Sequence, residues 1–170
     1  TIYVIKSSVI NSISSHGGKL LICHSLGAEY IPSPSSIYSY TDSETDNAAI
    51  NDTYISYSVA SGLHTLAHPS DDWVTSDATT LTTGSTPSVS SDTVNHLQYG
   101  SGKNLFIAGG SGVDIYDYTD IQTIGSGSIP YVWPCSDADQ SSGCIAYVDS
   151  SGDAVTYDVT ISSAIEVIPG

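Results

Sequence analysis

The sequence predicts an all-β chain built from about four repeats, each a four-stranded antiparallel meander. Three observations lead there. The first is composition: Tyr (12 residues), Ile, Val, Thr and Ser are plentiful, whereas Met is absent and only Glu29, Glu44 and Glu166 represent glutamate. Such residues suit pleated, half-buried strands rather than helices. Disorder is excluded because apolar residues make up 39% of the chain and recur in short, spaced runs. The second is the stretch "NLFIAGGSGVDIYDYTD" at 104–120, in which an apolar run stops at glycines and a second, alternating run follows. Glycine supplies the positive φ of a tight reversal between two strands. The third is self-similarity. "VNHLQYGSGKNLFIAGGSGVDIYD" from Val94 aligns with "VINSISSHGGKLLICHSLGAEYI" from Val9, with Asn95 on Asn11, Phe106-Ile107 on Leu21-Ile22, Gly112 on Gly27 and Asp114 on Glu29.

The offset of 84–85 residues is two periods of about 42. "TYISYSVASGLHTLA" at 53–67 and "GCIAYVDSSGDAVTYDV" at 143–159 are weaker copies, so the marker glycines are Gly27, Gly62, Gly112 and Gly152. The units run over roughly 9–43, 44–92, 93–127 and 128–168 of a single domain spanning 1–170, and a Ser/Thr/Gly/Pro-rich insertion lengthens the second. Third-unit strands are expected at "VNHLQY", "NLFIAG", "VDIYDY" and "IQTIGS"; fourth-unit strands at "IPYVWP", "CIAYVD", "AVTYDV" and "AIEVI". In each unit the run before the glycine is almost wholly apolar, as for a strand buried on both faces, and Leu21, Ile22, Phe106, Ile107, Ile145 and Ala146 are the expected core. One such unit cannot bury both faces alone and needs neighbours stacked on it. The N-terminal strand 1–8, "TIYVIKSS", stands outside the repeats and is expected to pair either with the last unit near "AIEVIPG" or with a neighbouring molecule's edge.

Four strands per period of 40–45 residues is the signature of a β-propeller blade. "VNHLQYGSGKNLFIAGGSGVDIYD" closely resembles the two-component-regulator propeller repeat, and "VINSISSHGGKLLICHSLGAEYI" resembles it in part. The likeness to WD40-like chains is looser, since no Trp-Asp dipeptide occurs. The resemblance implies a propeller of about four blades, or a segment of a larger one. It implies no chemistry, because propellers carry many unrelated functions.

Charge narrows the partners. Eighteen acidic residues against Lys6, Lys19 and Lys103, with no arginine, give a net charge of −15. A nucleic-acid site needs basic residues to neutralise phosphates, so that class is excluded, and an anionic membrane surface is disfavoured. No apolar stretch reaches the ~20 residues of a membrane span. The chain opens on Thr1 rather than Met, as a processed, trimmed or excised chain would. Cys135 and Cys144 bracket the polar loop "SDADQSSG", which suggests a disulfide across a hairpin and an oxidising compartment. Cys23, within "KLLICHS", reads as a buried free thiol. Asn51-Asp52-Thr53 is a glycosylation sequon.

Catalytic residues are not identifiable. No G-x-S-x-G occurs, the five histidines show no metal-ligand spacing and read as turn and strand-end residues, and no carboxylate pair stands out from the many Asp combinations. Asp42, Glu44 and Asp46 in "DSETDN" resemble the opening of an acidic calcium loop but lack its later glycine and glutamate. No other cofactor is indicated. Trp73, Tyr118, Tyr131 and Trp133 are the candidate binding aromatics, of a type that lines protein- and glycan-binding faces. These features together predict a non-enzymatic scaffold or recognition module outside the cytoplasm, contacting protein or glycan and suited to a virion or surface layer. A secreted propeller hydrolase or lyase acting on polysaccharide is the alternative.

Overall fold

A computed structural model describes residues 9–100, 104–134, 144–159 and 162–170. It is a β-propeller segment of four four-stranded antiparallel sheets, with one short 3-10 turn, Thr75–Asp77, as helix among the described residues. The first sheet holds β1 (Ile10–His16), β2 (Lys19–His24), β3 (Gly27–Ser33) and β4 (Ser36–Tyr40). The second holds β5 (Ala48–Ile50), β6 (Tyr54–Val59), β7 (Gly62–Ala67) and β8 (Thr79–Leu81). The third holds β9 (Val94–Tyr99), β10 (Leu105–Gly109), β11 (Gly112–Tyr116) and β12 (Ile121–Ile124). The fourth holds β13 (Val132–Pro134), β14 (Cys144–Val148), β15 (Ala154–Asp158) and β16 (Ser163–Ile168). Within every sheet the strands follow chain order, as in a meander.

The recurring glycine is dictated by the backbone. Gly27, Gly62 and Gly112 each begin the third strand of their sheet, at φ of 141°, 141° and 143°. That region is closed to residues with a Cβ. A Cβ on Gly27 would overlap the carbonyl oxygen of Tyr40, and one on Gly112 would lie 2.9 Å from that of Ile124. Gly152 differs: its φ is 91° and β15 starts two residues later, at Ala154.

The chain divides into two compact units, residues up to Thr80 and residues from Leu81. In the first, Leu21, Cys23, Ala28, Tyr30 and Tyr40 of the first sheet pack on Ile50, Ile55, Tyr57 and Val59 of the second. Register places the first set on one face: Leu21 pairs with Tyr30, Cys23 with Ala28 and Ala28 with Tyr40. In the second unit, Phe106, Ala108, Val113 and Ile115 of the third sheet pack on Val132, Ile145, Tyr147 and Val155 of the fourth. Leu21, Ile22, Phe106, Ile107 and Ile145 are buried as expected, and Ala146 is half-buried.

A polar latch repeats with the sheets. Asn11 on β1 donates its amide to the carbonyl of Thr45, at 2.8 Å, where the chain enters the second sheet. Asn95 on β9 donates to the carbonyl of Ile129, at 2.9 Å, where it enters the fourth. The sequence alignment of Asn11 with Asn95 therefore reflects one job, tying the first strand of a sheet to the start of the next.

Several sequence expectations are corrected. Trp73 is not at the surface: it is 3% exposed, stacks on Tyr40 at 6.0 Å and donates its indole N–H to the Tyr57 hydroxyl at 3.0 Å. The segment carrying it is drawn in by a parallel bridge to Tyr40, so Tyr40, Tyr57 and Trp73 form an aromatic core. His24 ends β2, as a strand-end histidine does, and is buried, whereas His64 lies within β7, also buried. Asn51 of the sequon is 7% exposed, and its Oδ1 accepts the N–H groups of Thr53 and Tyr54, so it closes a turn instead of presenting an amide. The N-terminal strand 1–8 lies outside the described residues.

Candidate functional site

The exposed aromatic surface of the described residues gathers at the start of β13, on Trp133 and on Tyr131 just before the strand. Tyr131 is 52% exposed and Trp133 47%, and their rings lie 5.5 Å apart and 28° from parallel. Residues two apart on a strand point to the same side, which brings the pair together. Val132, between them, points the other way into the core. Proline on both sides, Pro130 and Pro134, restricts the backbone of the segment. His96 of β9 completes the cluster, with its ring centroid 5.5 Å from Tyr131 and 6.3 Å from Trp133. Its Nδ1 accepts the Val132 N–H at 3.5 Å. Burial pushes its pKa below the usual 6.5.

Register defines the face that this pair occupies. Trp133, Ala146, Thr156 and Glu166 form one row across the fourth sheet, and Val148, Ala154 and Ile168 form a second row on the same side. Ala154, Glu166 and Ile168 are exposed, and Ala146, Val148 and Thr156 half-buried. The opposite side carries Val132, Tyr147 and Val155 of the core. The fourth sheet thus packs one face through Val132, Tyr147 and Val155, with Val167 of the last strand exposed on that same side, and its other face is mostly apolar. A solvated sheet face ordinarily alternates to polar residues.

The other candidate residues are placed elsewhere. Tyr118 is half-buried at φ 73°, 4.9 Å from the Tyr116 ring, with its hydroxyl on that of Tyr99. Trp73 belongs to the core described above. Asn11 donates to Glu44 Oε1 and to Asp46 Oδ1, each at 3.3 Å, while Asp42 Oδ2 accepts the Thr75 N–H at 2.8 Å. Glu44 and Asp46 therefore share the Asn11 amide while Asp42 holds Thr75, and among the described residues no three metal-ligating side chains gather. Of the expected Cys135–Cys144 pair, Cys135 lies outside the described residues and Cys144 is buried at the start of β14. Cys23 is a buried free thiol, its pKa pushed up to about 12 chiefly by desolvation.

A cleft of about 230 Å³ is lined by Asn104, Ile115, Asp117, Asp120, Gln122 and Val159 among others. Its Asp117 carboxylate accepts the N–H groups of Thr119 and Asp120, both at 2.8 Å, which hold it below the usual carboxylate range. A carboxylate so held stays ionised and caps its turn. A general acid needs the opposite shift.

No family model matches the chain, and no curated protein sequence matches it. Solved structures do. The chain is similar to the extracellular domain of the one component system BT4673 from B. thetaiotaomicron, with 10% identity, a TM-score of 0.65, and coverage of 96% of this chain and 23% of that one. It is similar to the extracellular domain of the hybrid two component system BT3049 from the same organism, with 12% identity, a TM-score of 0.65, and coverage of 94% and 24%. A chain of the mitotic checkpoint complex matches with 15% identity, a TM-score of 0.71, and coverage of 98% and 55%. The chain thus spans about a quarter of the length of the two bacterial domains. At these identities the likeness shows the fold. No helix among the described residues is long and apolar enough to cross a membrane.

Proposed function

We propose that this chain is a non-enzymatic recognition module outside the cytoplasm, and that it contacts a partner through the open face of its fourth sheet. The observation that carries this reading is the exposure of Tyr131 and Trp133 together, on a face opposite the core, while Tyr40, Tyr57 and Trp73 are buried. Exposed Tyr and Trp clusters are concentrated at binding surfaces, where their area and rigidity supply most of the energy. The extracellular setting is supported by the fold likeness to sensor ectodomains and by a surface coated with Asp, Ser and Thr. A virion or surface-layer component is the form this takes if the partner is another subunit. The near-parallel rings favour a second reading, a neutral glycan stacked on them, since a net charge of −15 repels anionic ligands.

Calorimetry tests the proposal. Wild type and the double variant Tyr131→Ala/Trp133→Ala are titrated with neutral oligosaccharides and, separately, diluted from concentrated stock. Heat in either arm that the variant lacks is expected. No heat from wild type in both arms, or equal heat from the variant, overturns the reading.

A further inference from the structure

The histidines are divided unequally between the two compact units. The unit ending at Thr80 holds His16, His24, His64 and His68, and the last three each bury a ring nitrogen with no hydrogen-bond partner among the described residues. The unit from Leu81 holds His96, which is half-buried. Buried polar atoms are ordinarily satisfied. Three that are not, in one unit, mark that unit as the place where added charge is least tolerated.

Each of the three rings is placed against a second proton. A protonated imidazole is a donor at both nitrogens and accepts at neither. His24 is 5% exposed, and its Nδ1 accepts the Leu26 N–H at 3.2 Å, so a proton there opposes a fixed donor. Glu29 of β3 faces this ring, but its Oε1 stands 4.0 Å from Nε2 and its Oε2 accepts the Ser39 hydroxyl. His64 is 3% exposed and lies edge-on to the rings of Tyr40 on β4 and Tyr57 on β6, at 6.2 and 5.3 Å. The Tyr57 hydroxyl accepts the Trp73 indole N–H, and that of Tyr40 bonds to Ser43 and Thr75. Asp42 is the acid whose charge reaches His64, and the Thr75 N–H holds its carboxylate. His68, just beyond β7, has Nδ1 3.2 Å from the Lys19 ammonium of β2 and its ring 5.1 Å from Tyr30 of β3. Asp52 draws a proton toward His68 but lies 3.2 Å from His16 Nε2.

We propose that the first unit is an acid-sensitive switch, in which protons taken up at His24, His64 and His68 open its core while the second unit keeps its fold. In an opened unit the three rings meet water and titrate near 6.5. In the folded unit burial lowers all three below that value. Stability is therefore complete above pH 6.5 and is lost as pH falls below it. Carboxylates titrate near pH 4, so a loss between pH 6.5 and 5 belongs to the histidines. The second unit carries one ring shifted in the same direction, His96, against three in the first. Opening uncovers Tyr40, Tyr57 and Trp73, an aromatic cluster that is hidden at neutral pH.

Hydrogen exchange on the full chain, read by mass spectrometry and corrected for the pH dependence of the chemical rate, tests this. Peptides covering β2, β6 and β7 are compared with peptides covering β10, β11 and β14 at pH 7 and pH 5. Protection of the first set is expected to fall about tenfold or more at pH 5, and that of the second set to fall less. His64→Phe, which cannot take up the proton, is expected to keep more of its protection at pH 5 than wild type. Circular dichroism confirms that it folds, and His68→Gln replaces it if it does not. Unchanged protection of the first set at pH 5, an equal loss in both sets, or a folded variant as acid-sensitive as wild type overturns the inference.

Discussion

Single residues carry the fold's most specific demands. Gly112 sits at φ 143° with the Ile124 carbonyl 2.9 Å from where a Cβ would stand. Gly112→Ala is therefore expected to lower stability by more than 1 kcal/mol in urea unfolding, since the strain exceeds the ~0.4–1 kcal/mol that a stiffer unfolded chain returns. Phe106, 2% exposed in the second core, should cost about 3–5 kcal/mol when cut to Ala. A loss under about 1 kcal/mol would contradict its place there. Four histidines add a pH dependence. Burial lowers the pKa of His24, His64, His68 and His96 below 6.5, in His68 with help from Lys19, whose ammonium lies 3.2 Å from Nδ1. Ring nitrogens of His24, His64 and His68 are buried without a hydrogen-bond partner. The acidic groups near them, Glu29 at 4.0 Å from His24 and Asp42 near His64, do not reverse the shifts. The unfolded chain takes up these protons first, so stability is whole above pH 6.5 and falls as pH drops below it. The denaturant midpoint should be lower at pH 5 than at pH 7, and a midpoint that rises on acidification would contradict the burial.

At the scale of elements, the repeated latch makes a paired prediction. Asn11→Ala and Asn95→Ala each remove the bond that ties a sheet's first strand to the entry of the next, and each should cost about 1–2 kcal/mol. Similar losses by thermal unfolding would show the two positions doing the same work, and a neutral Asn95→Ala would contradict it. This scale is also where the sequence was most legible. Gly27, Gly62, Gly112, Asn11 and Asn95 recur because a backbone geometry requires them, and such requirements survive divergence of the side chains around them. Gly152 misleads for the same reason: it serves a turn two residues before β15, so no strand start depends on it. The residue type of Trp73 suits a binding face, yet a single parallel bridge to Tyr40 turns the ring inward. That is a tertiary event with no local signal. No local pattern marks His96, because its contact with Tyr131 and Trp133 joins segments of different sheets.

For the whole molecule, each unit is a pair of packed sheets around its own core, and function depends on what each pair leaves uncovered. Tyr131 and Trp133 could be picked from the sequence as residue types, but their exposure follows from the register of β13 to β16, which puts Val132 in the core and its neighbours outside. A net charge of −15 repels anionic partners, and the open face of the fourth sheet offers apolar contact. The central claim is that this face is occupied when the protein works, and Trp133 emission tests it most directly, since the chain's other tryptophan, Trp73, is buried in either case. The account predicts that emission shifts to shorter wavelength on concentrating the protein or on adding neutral oligosaccharide, as Trp133 is withdrawn from water, and that Trp133→Phe abolishes the shift. A spectrum that keeps the same solvent-exposed component at every concentration, with or without neutral oligosaccharide, would contradict it.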